Sequence, residues 1–441
     1  ENEFSVYFEA ANDNQPVPCL KVSQVNDNTL KWSFCFEDWI TVKNVMNQSI
    51  NTTDINFGNN KLNFNDKKIS FSLNDSNNNT ILESYQKNNR LGFIDILTDG
   101  SSQVFKVRFN LNMASDEKIF GLGERYSHIE YRGLEVDNYV YNQYRDQGLH
   151  TYIPVPFLLS SKGYGIYLDT PLYARYRFGT KLSDLMELEV DLSSKNQALD
   201  MYLYTGNPKE VIGSYTDTIG KAKLPPKWVF GPWMSSNNWD NQKEVMKQIA
   251  LGKKYEIPST VIVLEQWSDE ATYYIFNDAQ YDVRDGNSFF KLEDFTFPAW
   301  GRWPDPKKMV QDIHDEGLKI LLWQAPVMKY MDGIAHAQRD EDERFMLENG
   351  FCVKHKDGEP YRIPSFEWFK RSLVPDFTNP TAKEWWMNKR RYLLEDLKID
   401  GFKTDGGECI YGSDLLFYDG STGSEMRNLY PNLYVGSYQE F

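Results

Sequence analysis

The chain has 441 residues, of which 41% are hydrophobic, 25% charged and 15% aromatic, and a formal net charge of −15. That length allows two or more domains with cores of their own. The acidic balance argues against a nucleic-acid partner, whose recognition draws on Lys and Arg contacts to phosphate, and no apolar run approaches the roughly 18–20 residues that span a bilayer, so a soluble chain with no membrane partner is expected. It begins at Glu1 rather than Met, a trimmed start that leaves the compartment open. Its four cysteines, Cys19, Cys35, Cys352 and Cys409, are too few and too scattered for a disulfide scaffold or a CxxC zinc site, and no metal is expected. The 12 Trp and 27 Tyr suit the flat faces of sugar rings, although a large β domain also needs such residues to fill its core.

In chain order, the first elements alternate apolar with polar residues. Leu30, Trp32, Phe34 and Phe36 do so, as do Phe105, Val107, Phe109, Leu111 and Met113. Met186, Leu188, Val190 and Leu192 repeat the pattern, followed by Leu199, Met201 and Leu203. A period of two predicts half-buried antiparallel strands. Turn clusters at 74–79 (NDSNNN) and 99–102 (DGSS) punctuate them. Many strands without intervening helices predict a β-sandwich over residues 1–222.

Past residue 205 the rhythm changes. The spacing predicts a helix over 208–218, and Leu224-Pro225-Pro226 is a stiff connector. Then come a strand over 228–233, a helix over 241–255, a buried strand over 260–264 and a helix over 306–316 with Gly317 as its cap. A strand over 319–323, a helix over 381–397, a strand over 401–404 and a helix over 425–440 follow. Alternating apolar strands and helices predict a parallel sheet covered by helices. No glycine-rich phosphate loop opens the first helix, where the sequence is WMSSNN. A (β/α)8 TIM barrel is therefore preferred to an open dinucleotide-binding sheet. Residues 223–441 hold four such units, the N-terminal half of a catalytic barrel.

In such a barrel the working residues project from the C-terminal ends of the strands. Those ends carry residues 233–236, then Glu265, Gln266 and Trp267, then Trp323 and Gln324, then Lys403, Thr404 and Asp405. The segment 400–408, DGFKTDGGE, is the most informative. Lys403 and Asp405 are two apart on one strand and point the same way. A carboxylate kept ionised by a nearby cation is suited to attack an anomeric carbon, whereas the plainer reading is an ion pair at a strand end. Gly406 and Gly407 allow a sharp turn and leave room for a ligand. Gly121-Leu122-Gly123 is half a dinucleotide fingerprint without the following helix and reads as a turn. The five histidines show no HExxH spacing and no GxSxG elbow occurs.

The 400–408 segment resembles the nucleophile motif of glycoside hydrolase family 31, which includes α-glucosidases, α-xylosidases, α-galactosidases and α-glucosyltransferases. Residues 120–125 (FGLGER), 156–159 (PFLL) with 163–166 (GYGI), 319–326, and 375–380 (PDFTNP) with Trp385-Trp386 resemble further family segments, in family order. The resemblance implies that Asp405 is the nucleophile that forms a covalent glycosyl-enzyme. Lys403 matches a sugar-hydroxyl ligand of the xylosidase-like and galactosidase-like branches. Trp323 and Trp368 match aromatic walls around the reacting sugar. Glu265 stands where the family usually has an Asp that grips the 4-hydroxyl. Asp146 matches a residue that the N-terminal domain extends toward the pocket. No cofactor is implied.

Retaining glycosidases pair the nucleophile with a second carboxyl about 5–5.5 Å away that serves as acid and then base. In the family this residue lies tens of positions beyond the nucleophile, so it is expected after Phe441. Asp414 and Asp419 follow Asp405 too closely to be nominated. A missing C-terminal segment or a second chain is expected to complete the barrel, because half of one leaves open sheet edges. The expected function is an exo-acting retaining α-glycoside hydrolase acting on an α-linked oligosaccharide, first of all an α-glucoside. Glucosyl transfer and α-galactoside cleavage are the near alternatives. A non-catalytic carbohydrate-binding protein is the distant one, and intact Lys403 and Asp405 argue against it.

Overall fold

The computed structural model describes residues 3–7, 17–37, 54–65, 68–86, 92–98, 104–193 and 198–441. The chain divides into two compact units, Glu1–Ala222 and Lys223–Phe441.

Among the described residues, three antiparallel sheets build the first unit. The largest runs in the order Glu3–Tyr7, Val17–Asn26, Thr29–Glu37, Leu199–Thr205, Tyr164–Asp169, Phe157–Ser160 and Ile119–Gly121. A five-stranded sheet runs Glu135–Asn138, Ala174–Phe178, Leu185–Asp191, Val104–Asn112 and Ile94–Thr98. A four-stranded meander spans Asp54–Phe57, Asn60–Asn65, Ser70–Asn74 and Thr80–Glu83. Alternate residues of all three share one core, with Leu30, Trp32 and Phe34 from the first, Val107, Phe109, Leu188 and Val190 from the second, and Leu62, Phe71 and Leu73 from the third. The Trp32 ring lies 4.8 Å from that of Phe71 and 5.5 Å from that of Phe93. Asp75 closes the 74–79 turn by accepting the N–H groups of Asn77 and Asn79. The 99–102 cluster lies outside the described residues. Gly121-Leu122-Gly123 is a turn in which all three residues have positive φ.

One strand departs from the half-buried pattern. Along Leu185–Asp191, the polar residues between the core positions are themselves buried, Glu187 at 2% and Glu189 at 3% exposure. They are covered by long cations. Arg108 Nη2 lies 2.5 Å from Glu189, Arg177 reaches both glutamates, and Lys181 Nζ lies 2.8 Å from Glu187. Alternation alone does not show that an acidic row will be roofed by basic side chains from neighbouring strands.

In the second unit four parallel strands lie side by side in chain order, Trp233–Ser236, Val261–Leu264, Lys319–Gln324 and Gly401–Thr404. No closed barrel forms among the described residues. The helix Gln242–Lys254 starts at Asn241, whose side chain accepts the Glu244 N–H, and Pro306–Asp315 starts at Asp305 in the same way. The helix Gly423–Glu440 opens on a Thr422–Glu425 capping box.

Two sequence expectations need correction here, and one helix has no signal in the sequence. Residues 228–230 are not strand: Lys227–Phe230 is a 3₁₀ turn launched by Pro226 at φ −63°. The Trp228 carbonyl accepts from Gly231 N–H and Thr260 Oγ1 instead of a sheet partner. The helix expected over 381–397 is two helices, Pro380–Asn388 and Arg391–Glu395. They break at Lys389 and Arg390, both 1% exposed. The break lets two consecutive cations turn inward, Lys389 to Asp342 at 2.8 Å and Arg390 to Gln324 at 2.6 Å. The helix Ala337–Glu348 was not anticipated, because its inward face carries Gln338, Arg339 and Asp342 with only Met346 as an apolar anchor. A helix that buries polar residues has no apolar stripe to read.

Candidate active site

The C-terminal ends of the four parallel strands open into a cavity of about 620 Å³ whose lining includes Glu265, Trp323, Trp368, Lys403 and Asp405. The sheet register explains why they meet. Lys403 pairs with Trp323 across the third and fourth strands, and Glu265 directly follows Leu264 at the end of the second.

Asp405 is held in two ways. Its backbone N–H donates to the Gln324 carbonyl at 2.9 Å, and its Oδ2 accepts the Trp323 indole N–H at 2.8 Å. Gly406 follows at φ +78°, and a Cβ there would stand 3.2 Å from the Trp368 ring and 3.3 Å from that of Phe369. Glycine at 406 thus serves both the left-handed turn and the close approach of the aromatic wall. Burial pushes the neighbouring Glu408 carboxyl above its ordinary range, and the charge of Asp405 adds to the rise against the pull of Arg427.

The cation of this strand has a different partner from the one that spacing alone implied. Lys403 Nζ lies 2.7 Å from Glu265 Oε1, its ion pair among the described residues. Ser235 Oγ donates to the same oxygen at 2.6 Å. Side chains two apart on a strand share a face, but the lysine stem is long enough to reach the end of a strand two places away. Lys403 and Glu265 therefore form a polar floor, and the group that orients Asp405 is an indole.

The aromatic walls are layered. Trp368, 47% exposed, stacks on Phe369 with centroids 4.2 Å apart, and Trp323 is 6.4 Å from Trp368. Tyr273 meets Trp323 edge-on at 5.3 Å and also lines the cavity. It comes from the long connection after the second strand, where no periodicity marks it. Beneath this layer Gln324 is fully buried. Its Oε1 accepts from Arg390 Nε at 2.6 Å and Tyr438 OH at 3.0 Å. Its Nε2 donates to the Tyr273 carbonyl at 2.7 Å and the Trp323 carbonyl at 3.0 Å. Reading strand ends drew attention to Gln324 and Ser235 without giving either a role.

Asp146 belongs to the first unit, where it is exposed at φ +50° and its carbonyl accepts from Gln143 Nε2 at 2.9 Å. His314, His336 and His355 pair with Asp400, Asp269 and Asp414. Among the described residues no cluster of His, Cys, Asp and Glu could hold a metal ion, and no helix is long and apolar enough to cross a membrane.

Comparison with known proteins extends the picture. Residues 9–175 match the glycosyl hydrolase 31 N-terminal galactose mutarotase-like domain, and residues 222–441 match the glycosyl hydrolases family 31 TIM-barrel domain. An isomaltosyltransferase of Sporosarcina globispora is 45% identical over 347 residues, which cover 78% of this chain and 32% of the relative. The cycloalternan-forming enzyme from Listeria monocytogenes, solved with a pentasaccharide substrate, superposes with a TM-score of 0.90 at 34% identity over 100% of this chain and 42% of that one. The cycloalternan-degrading enzyme from Trueperella pyogenes, solved with a covalent intermediate, gives 0.74 at 29% identity over 97% and 65%. The chain thus spans about a third of the transferase's length and less than half of the cycloalternan-forming enzyme.

Proposed function

The chain belongs to glycoside hydrolase family 31, and from that premise we propose that it supplies the nucleophile and the sugar-binding floor of an enzyme that breaks α-glucosidic bonds in oligosaccharides by double displacement. The reading takes the four parallel strands as the first half of a (β/α)8 barrel. The observation that carries it is the Asp405 carboxylate, fixed by the Trp323 N–H in the same cavity as the Lys403–Glu265 pair.

The free oxygen of Asp405 attacks the anomeric carbon, the glycosidic bond breaks, and the leaving oxygen takes a proton from a second carboxyl. That acid is assigned to a residue after Phe441, as the family resemblance implies. A hydroxyl then attacks from the opposite face, gives its proton to that second carboxyl, ionised by the first step, and the Asp405 carboxylate leaves. The covalent intermediate seen in the Trueperella enzyme supports two displacements over one. Lys403, Glu265 and Ser235 present a donor-and-acceptor floor to sugar hydroxyls, and Trp323, Trp368 and Tyr273 offer faces to the ring.

Hydrolysis and transfer share the first displacement and differ in whether water or a sugar hydroxyl performs the second. The 45% identity to an isomaltosyltransferase favours a glucosyl-oligosaccharide donor and a sugar acceptor. The test is to treat the enzyme with a mechanism-based fluoroglycoside and map the label, then to follow products from α-gluco-oligosaccharides. Label on Asp405, with turnover lost in Asp405→Asn, is expected. Label on another carboxylate would overturn the assignment, and saccharide binding without turnover would restore the non-catalytic reading.

A further inference from the structure

The two cysteines nearest the amino terminus, 16 positions apart, are brought face to face by the sheet. In the hairpin formed by Val17–Asn26 and Thr29–Glu37, Cys19 and Cys35 are direct partners in the antiparallel register, and their sulfurs lie 2.8 Å apart. We propose that Cys19 and Cys35 are an oxidation site, closed as a cystine across this hairpin.

The register is firmly set at this point. The next pair inward, Leu20 and Phe34, has both side chains fully buried in the shared core, and a slip by one residue would turn both out of it. Direct antiparallel partners have Cα atoms about 4.5–5.5 Å apart, within the roughly 4.4–6.8 Å that a disulfide spans. The pair stands near the open end of the hairpin, away from its Asp27–Asn28 turn, where strand pairing has the least help from chain connectivity. A bond there closes the whole hairpin and removes conformational freedom from the unfolded chain.

The two thiols differ in access. Cys19 is fully buried and Cys35 is half-buried, which sets the order of events for an external disulfide oxidant such as oxidised glutathione. The Cys35 thiolate attacks one sulfur of the oxidant, whose S–S bond breaks and expels one thiolate. Cys19, deprotonated, then attacks the Cys35 sulfur of the mixed disulfide and expels the other. Two electrons pass from the cysteine sulfurs to the oxidant, which leaves as two thiols carrying the two protons. Cys352 and Cys409 provide the contrast. Both are buried in the second unit, where burial pushes the Cys352 thiol up to about 11 and the Cys409 thiol well above its usual range. Neither presents a thiolate to solvent.

The experiment equilibrates the native protein with excess oxidised glutathione, quenches with acid, unfolds and alkylates it, and maps the peptides by mass. A joined pair carrying Cys19 and Cys35, lighter by two hydrogens than the reduced peptides, is expected, with Cys352 and Cys409 alkylated. In Cys19→Ser the resolving thiol is gone, so Cys35 should accumulate a glutathione adduct that the parent chain does not hold. Alkylation of both Cys19 and Cys35 in the equilibrated parent would overturn the proposal. So would a stable glutathione adduct on Cys35 of the parent.

Discussion

The indole N–H of Trp323 is bonded to Oδ2 of Asp405 at 2.8 Å, so the two oxygens of this carboxylate are not equivalent. One is occupied as an acceptor, and in the function proposed above it is the other that attacks. Trp323 therefore both lines the cavity and sets the rotation of the Asp405 carboxylate about its Cβ–Cγ bond. An N–H bond to an ionised carboxylate contributes about 1.5–3 kcal/mol.

Trp323→Phe keeps the ring and deletes that donor. It should lower kcat/KM by roughly 10–100-fold, the rate equivalent of that energy, while leaving the thermal midpoint within a few degrees of the parent's. Steady-state kinetics on an aryl α-glucoside check this, and an unchanged kcat/KM would show that the indole only walls the pocket.

Glu265 and Lys403 should behave as a coupled pair in sugar recognition. Glu265→Gln and Lys403→Met are each expected to raise KM more than they lower kcat, because in the function proposed above both residues meet sugar hydroxyls already in the ground state. The double variant should lose less than the sum of the two, with a coupling energy of about 0.5–3 kcal/mol. Strict additivity would mean that the 2.7 Å contact makes no difference to binding.

Gly406→Ala combines a left-handed backbone with a Cβ placed 3.2 Å from the Trp368 ring. A destabilisation of about 1–3 kcal/mol is expected, together with a loss of activity larger than the loss of folded protein, because relief of the clash displaces a wall of the pocket. Thermal denaturation and kinetics on the same preparation separate the two effects.

Acid stability should depend on Glu189, roofed by cations in the first unit. Burial alone would raise the Glu189 carboxyl, but the Arg108 hydrogen bond and the charges of Arg177 and Arg108 outweigh it and hold it at about 2, below its ordinary 4.5. A depressed carboxyl contributes stability that is complete above the unfolded value and is lost as pH falls from about 4.5 toward 2, on the order of 3 kcal/mol for this shift. Denaturant melts at pH 7 and near pH 3 should show the loss in the parent, and a smaller difference in Glu189→Gln. An equal pH dependence in the two would remove Glu189 from the account.

Much of this architecture is legible in the sequence where burial follows a period. The Leu30–Trp32–Phe34 alternation marks a strand, and the apolar runs at 260–264 and 319–323 mark two parallel ones, because at those positions the residue type alone reports which side faces the core. The reading falters where a polar group is buried beside its partner. Ala337–Glu348 hides its inward face behind Gln338, Arg339 and Asp342. Lys389 and Arg390 interrupt a helix whose pattern runs on without a break, because their partners Asp342 and Gln324 are distant in sequence. The same limit applies within the cavity. Strand-end position picks out Lys403 and Asp405, but which acceptor a long ammonium reaches is decided by the neighbouring strand, and Tyr273 arrives from a connection that has no period.

Gln324 has all four of its amide hydrogen-bonding positions filled by fixed partners. Turning the amide over would set its hydrogens against Arg390 and Tyr438 and its oxygen against two carbonyls. Glutamate would keep the acceptors and lose both donors, and leucine or methionine of similar length would strip the Gln324 bond from Arg390 Nε, from the Tyr438 hydroxyl and from the buried Tyr273 carbonyl. A saturation library at this site, selected for activity, should return glutamine alone, whereas exposed helix positions such as Lys243 should accept many residues. The chain carries here a single-letter signature that needs no contact with sugar to be under selection.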